Sequence, residues 1–405
     1  MTLKHIKKIL RDTFYVHTGG SAEELKAAEY LAAECESMGV KARIEPFKVQ
    51  MAEIKSASLT ADGTVIPCRG YRNCGSGSVE APLLYLPNTD EVSISAAKGK
   101  IVMLDTILRH FTYQDLLDAG AVGFITYDGN VNFADRDIDA KELRSFVAEG
   151  RKVLCASVNA KDAFKIVSSG AKTAKIEIEQ DEWEGDSRNV IADIPGESGE
   201  WIVLTAHYDT VPLSRGSYDN MSGCVGLLET MDALRGRPHR YGLRFIFCGS
   251  EERGLLGSKA YTAAHEEELK KVVLNINVDM IGSVMGSFLA CVTAEEGLTH
   301  FIRYFAGAKG WGINPYSGVY SSDSTPFADH GVPAVSFARG APGSQSNIHS
   351  RYDTYDLLSE RQIRDDAGFI AGFTAFMADS FKCPVKREIP DKIKDDLDKY
   401  LNRKR

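Results

Sequence analysis

Seven ionisable residues in the second half of this chain are placed to do chemistry: His207, Asp209, Asp219, Glu251, Glu252, Asp279 and His349. Apolar, strand-like runs lead into most of them. WIVLTAH ends on His207, GLRFIFCGS runs into Glu251 and Glu252, and VVLNINVD ends on Asp279. Asp209 follows His207 by two residues, Asp219 lies in the turn YDNMSG, and His349 lies in the polar loop SQSNIHSRYDT. Singly, each has an ordinary explanation as a structural histidine, a solvated acidic pair or a helix N-cap. Jointly they do not, because gathering so many carboxylates at one buried sheet edge is prohibitive without cations. Two divalent ions would neutralise them. Nitrogen and oxygen donors without thiolate suit zinc, with cobalt and manganese as alternatives. Five such ligands, His207, Asp219, Glu252, Asp279 and His349, exceed the needs of one tetrahedral zinc with an open position, but suit two ions sharing a carboxylate.

The elements that must position these groups begin at Ser187. RNVIADIPG and WIVLTAH read as adjacent strands, the second apolar enough to be central and buried. A helix (SGCVGLLETMDALRG), a strand (GLRFIFCGS), a helix (GLLGSKAYTAAH) and a strand (KVVLNINVDM) follow. A helix around GLTHFIRYFAGAKG, a strand VPAVSFA and a closing helix from Ser359 to about Phe381 complete the series. This alternation predicts an α/β domain with a mixed, mostly parallel sheet and helices on both faces. In such sheets reactive groups gather at the carboxyl ends of the strands.

The chain opens with a helix (GSAEELKAAEYLAAECESMGV) and a strand (KARIEPFKV). From about residue 50 to 182 come short strands such as APLLYLP, GKIVMLD, AVGFITYDG, KVLCASV and AKIEIEQ, with few helical stretches, which reads as a compact strand-rich module. The tail PVKREIPDKIKDDLDKYLNRKR suits either a short amphipathic helix or a solvated end.

Composition narrows the function classes. The 405 residues are 43% hydrophobic and 26% charged, with net charge −8 and no long basic tract before the tail, which argues against nucleic acid as a partner. No run is apolar enough to span a membrane. No signal-peptide core follows the basic start MTLKHIKKILRDTF, so a cytoplasmic location is expected. The eight cysteines form no C-x-x-C pair and read mostly as small buried apolar side chains.

AHYDT, YDNMSG, GSEERGLLGS, NVDMIG and NIHSRYDT, in that order, resemble the motifs of the M28 peptidase family of zinc aminopeptidases and glutamate carboxypeptidases. The likeness extends over essentially the whole chain. It implies a zinc exopeptidase fold, two zinc ions and a peptide substrate. Carried over by position, His207 and Asp279 would bind one zinc, Glu252 and His349 the other, and Asp219 would bridge them. Asp209 would hydrogen-bond His207 and fix its ring, and Glu251 would be the general base acting on a water shared by the ions. The same resemblance implies a cis Asp219–Asn220 peptide. The segment SSDSTPF departs from the pattern, with Ser324 where histidine is common, which puts specificity in question.

GKIVMLD, LLDAGAVGFITYDG and AKDAFKIVSSG resemble the protease-associated domain inserted in several members of that family. Residues 1–50 and 183–385 would then be the catalytic domain, 51–182 the insert, and 386–405 a charged tail. The insert would narrow the mouth of the active site or serve as scaffold. An aminopeptidase is favoured over a carboxypeptidase, which would need cations for substrate carboxylates; Arg339 and Arg351 are the candidates. The M20 deacylases carry their extra domain late, whereas here about 70 residues separate Asp279 from His349. Glutaminyl cyclases of this fold usually bind one zinc and lack the insert. A binding protein that had lost catalysis would show broken ligands or no base. Oligomeric state is open, a homodimer among the choices.

Overall fold

The computed structural model describes every residue except 106, 107, 130, 132–137, 344, 345 and 347. The chain divides into two units, one comprising Met1–Val49 and Asp186–Lys404, the other Gln50–Gly185 with Arg405.

The first unit starts with helices Leu3–Asp12 and Ala22–Ser37. Thr2 and Ser21 cap them by accepting the N–H groups of His5 and Glu24, which would otherwise lack helical partners. Its sheet runs, in spatial order, Asn314–Ser317, Ser287–Thr293, Ala334–Gly340, Val272–Val278, Trp201–His207, Gly242–Cys248, and the last residues of the long strand Thr173–Ile194. The four strands from Ala334–Gly340 to Gly242–Cys248 are mutually parallel, while Ser287–Thr293 and Thr173–Ile194 join antiparallel.

Side chains alternate between two cores with the strand period of two. Ile202, Leu204, Phe245 and Phe247 face the core that also holds Leu227, Leu228, Ile370 and Phe373 of helices Ser222–Leu234 and Glu360–Asp379. Val203, Ile246 and Cys248 face the other way, towards Tyr261 of helix Leu256–Ala264 and Phe327. Helices therefore cover both faces, which explains why the central strands are near-continuous apolar runs.

One expectation of neighbour order is corrected. The strand containing RNVIADI does not pair with WIVLTAH; Gly242–Cys248 lies between them. Trp201–His207 has parallel partners on both edges, and the link after Ile194 crosses the start of the intervening strand, Glu197 and Ser198 donating to the carbonyls of His239 and Arg240. Strands Ser287–Thr293 and Asn314–Ser317 are additions to the sequence reading. In the tail, helix Asp391–Tyr400 sets Ile393 and Leu397, with Ile389, against Ala328 and Ala334, and Arg403 donates from Nη1 and Nη2 to the two carboxylate oxygens of Asp329.

In the second unit four neighbouring strands are parallel: Gly77–Tyr85, Ile101–Asp105, Gly123–Asp128 and Cys155–Asn159. Helices His110–Asp118 and Ala160–Ser169 accompany them, and a separate core forms around Val102, Tyr113, Phe124 and Ile166. All eight cysteines are free, seven of them buried. No helix among the described residues is long and apolar enough to cross a membrane.

Candidate metal centre

Register brings the strand-end residues together. Cys248 stands opposite His207, and Asn277 opposite Thr205, so the chain after Cys248 and Asp279 itself emerge at the same edge as His207. Glu251 and Glu252 occupy a single 3-10 turn, Glu251–Arg253, set between Ser250 and Gly254 in left-handed conformation. Asp219 lies in the turn before helix Ser222–Leu234, and its peptide bond to Asn220 is cis. Asn220 fastens that turn to the Asp279 strand: its amide donates to the Val278 carbonyl at 2.9 Å and accepts from the N–H groups of Met280 at 2.9 Å and Gly223 at 3.0 Å. A side chain at Gly223 would lie 2.4 Å from Asn220 Oδ1 and from the Val278 carbonyl, so only glycine permits this approach. His349 sits in its loop at φ 58 and is 55% exposed.

The two carboxylate oxygens of Asp219 face different histidines. Oδ1 lies 3.1 Å from His207 Nε2, and Oδ2 lies 3.1 Å from His349 Nε2. Asp279 Oδ1 is 3.8 Å from His207 Nε2, and Glu252 Oε2 is 3.3 Å from His349 Nε2. His207, Asp219 and Asp279 form one set of potential metal ligands and Asp219, Glu252 and His349 a second, the donor atoms of each set lying within 4.8 Å of one another. The residues fit divalent cations on two counts. The donors are all imidazole and carboxylate, and Asp279 Oδ1 is buried with no hydrogen-bond partner among the described residues, a cost that a cation would relieve.

Electrostatics follow from crowding. Burial pushes Glu251, Glu252 and Asp279 above the usual carboxylate range, and neighbouring carboxylates add to it. Burial works the same way on Asp219, but its hydrogen bonds with His207 and His349 outweigh it and bring the group below that range. Glu252 holds His349 up at about 10 against the desolvation that lowers it.

Asp209 faces both His207 and the Glu251–Glu252 turn. Its carboxylate is 3.6 Å from His207 Nδ1, and its backbone oxygen is closer to that nitrogen, at 3.2 Å. The carboxylate's short hydrogen bonds are with the N–H groups of Glu251 at 2.7 Å and Glu252 at 3.3 Å. The first N–H groups of a helical turn have no partner inside it, and Asp209 supplies one.

The Arg339 guanidinium is engaged by the buried Asp366, at 2.6 Å in its closest contact, and by the Gly286 carbonyl at 2.9 Å, and it stacks over Phe288. Arg351 follows His349 by two residues in the same loop, where the motif residue Asn347 lies outside the described residues. Ser324 is buried and its hydroxyl is bonded to those of Ser322 and Ser336, each at 2.9 Å. Beside it Asp323 is buried, its carboxylate facing Ser258 and Cys248.

Sequence reading missed several supports. Asn220 and Asp353 lie inside the quoted motifs YDNMSG and NIHSRYDT, but nothing local tells which chain their side chains reach. Glu24, on the first long helix, gave no signal beyond a polar residue at the helix start.

Residues 189–373 match the model of Peptidase family M28. The chain is 29% identical over 205 residues to the aminopeptidase YwaD of Bacillus subtilis, covering 48% of this chain and 45% of that protein. It is 26% identical over 319 residues to leucine aminopeptidase 2 of Arthroderma otae, covering 70% of this chain and 63% of that one. The chain thus spans between about half and three-fifths of the length of these relatives. Among solved structures, an aminopeptidase from Aneurinibacillus sp. strain AM-1 shares the fold with TM-score 0.77, 22% identity, and coverage of 95% of this chain and 96% of that one. The zinc aminopeptidase BSAP from Bacillus subtilis does so with TM-score 0.76, 23% identity, and coverage of 97% and 98%.

Proposed function

We propose that this chain is a zinc aminopeptidase of the M28 type, removing N-terminal residues from peptides. The observation that carries the reading is the pair of ligand sets sharing Asp219, whose oxygens each stand 3.1 Å from a different histidine. His207, Asp219 and Asp279 would hold one zinc and Asp219, Glu252 and His349 a second. Zinc bound there supplies Lewis acidity to the scissile carbonyl and lowers the pKa of water.

The remaining work falls to the chain itself. Glu251 belongs to neither set, yet its Oε2 lies 4.0 Å from His207 Nε2, at the edge of the cluster. Burial raises its affinity for a proton, so Oε2 can take one from the attacking water and deliver it to the leaving amine. Asp209 holds the backbone of the Glu251–Glu252 turn, letting adjacent side chains diverge, one towards metal and one towards water. The commitment of Arg339 to Asp366 favours an aminopeptidase over a carboxypeptidase, because one of the two candidate carboxylate-binding arginines is already paired. Gln50–Gly185 is read as an inserted protease-associated-like domain, supported by its separate core and its position between two segments of the first unit.

The test is hydrolysis of one tripeptide in free, N-acetylated and C-amidated forms by zinc-loaded protein, with Glu251→Ala as control. Acetylation should abolish cleavage, amidation should spare it, and the variant should be inactive. Loss of cleavage on amidation alone would overturn the aminopeptidase reading.

A further inference from the structure

Behind the Glu251 turn lies a buried polar chain that starts on the first long helix. Ser250, immediately before Glu251, has φ 54, a conformation that costs a non-glycine residue energy and persists only when its surroundings hold it. Its hydroxyl donates to Ser187 Oγ at 2.8 Å, and Ser187 donates to Glu24 Oε1 at 2.5 Å. All three residues are fully buried. Glu24 Oε2 accepts the Gly20 N–H at 2.8 Å and faces Arg188 at 3.5 Å. The Gly19–Gly20 turn is itself pressed on Ser250, since a side chain at Gly19 would come within 2.0 Å of Ser250 Oγ. Arg253, at the far end of the same turn, donates to the Gly19 carbonyl at 3.3 Å.

We propose that Glu24, Ser187 and Ser250 are positioning residues for Glu251: the helix Ala22–Ser37 fixes, through two hydroxyls, the backbone from which the base projects. The inference rests on the aminopeptidase reading for its kinetic consequence, but the mechanical link does not. None of the three touches the ligand sets directly, but Glu252 shares the turn with Glu251, so kinetics are read at saturating zinc, where a displaced base lowers turnover without weakening substrate binding.

The experiment uses the full chain with Ser187→Ala and, as a second route, Ser250→Gly, which accepts the left-handed conformation while losing the hydroxyl. Two readouts are taken: kcat and KM on an aminoacyl p-nitroanilide, and amide hydrogen exchange of residues 249–256, with zinc stoichiometry recorded alongside. The expected result, at saturating zinc, is a kcat about 10- to 100-fold lower at unchanged KM, the scale of loss from misplacing a reacting group by about 1 Å. Exchange of the turn should quicken, and Ser187→Thr, which restores a hydroxyl, should recover both readouts. Wild-type kcat and wild-type exchange in both variants would overturn the proposal. If the wild-type protein itself shows no turnover, the aminopeptidase reading falls. Exchange then decides the positioning proposal alone, faster exchange in the variants upholding it and unchanged exchange refuting it.

Discussion

Asp353 reaches across the chain to hold the backbone of Asp219: its Oδ2 accepts the Asp219 N–H at 2.9 Å while its Oδ1 accepts that of Tyr218 at 2.8 Å. The residue four positions beyond His349 thus sets the carboxylate that faces both histidines. Tyr218 completes the tie, its hydroxyl meeting the Arg339 carbonyl at 2.5 Å and the Ala341 N–H at 3.1 Å.

Asp353→Asn should therefore weaken metal binding by about 10- to 100-fold, the usual cost of removing an outer support of a ligand. The amide can accept through only one of its two atoms, so one of the two N–H groups loses its partner. Zinc titration against a chromophoric chelator reads the effect directly, and affinity equal to wild type would remove Asp353 from the site.

Asp209→Asn tests which job that residue performs. If its carboxylate mainly anchors the Glu251–Glu252 turn, turnover should fall by about 10- to 100-fold with faster amide exchange at Glu251 and Glu252. If orienting the His207 ring is its main task, zinc affinity should fall while exchange of the turn stays the same.

Arg339→Met should destabilise the fold by about 3–5 kcal/mol, because Asp366 is left as an uncompensated buried charge. Its KM for peptides with free and amidated carboxyl ends should change equally. A selective rise for free carboxylates, measured beside the unfolding midpoint, would return Arg339 to substrate recognition.

Glu24 yields a pH dependence. Burial raises its carboxyl to about 8, against the opposing Ser187 and Gly20 hydrogen bonds and the Arg188 charge. The folded state therefore binds this proton more tightly than the unfolded state does. Its contribution to stability is fully present below the unfolded value of 4.5 and is lost as pH rises through about 8. Thermal midpoints measured from pH 5 to 9 should fall more steeply for wild type than for Glu24→Gln, which has no proton to lose. Parallel curves would show that Glu24 does not titrate in this window.

Much of this molecule was legible locally. A side chain at the end of an apolar run must emerge at a strand terminus, so WIVLTAH, GLRFIFCGS and VVLNINVD by themselves directed His207, the Glu251–Glu252 pair and Asp279 to one sheet edge. The alternation of strand and helix periods likewise determined an α/β sheet with helices on both faces, because apolar strands of this kind need cover on each side. Tertiary structure decided what depends on partners distant in the chain. It placed Gly242–Cys248 between the strands ending at Ile194 and His207. It directed the Asp209 carboxylate to the Glu251 turn, committed Arg339 to Asp366, and brought Asp353 to Asp219 and Glu24 to Ser187. In sequence each of these is one polar residue among many. Burial, which makes an unpaired polar group costly, forces each to find partners.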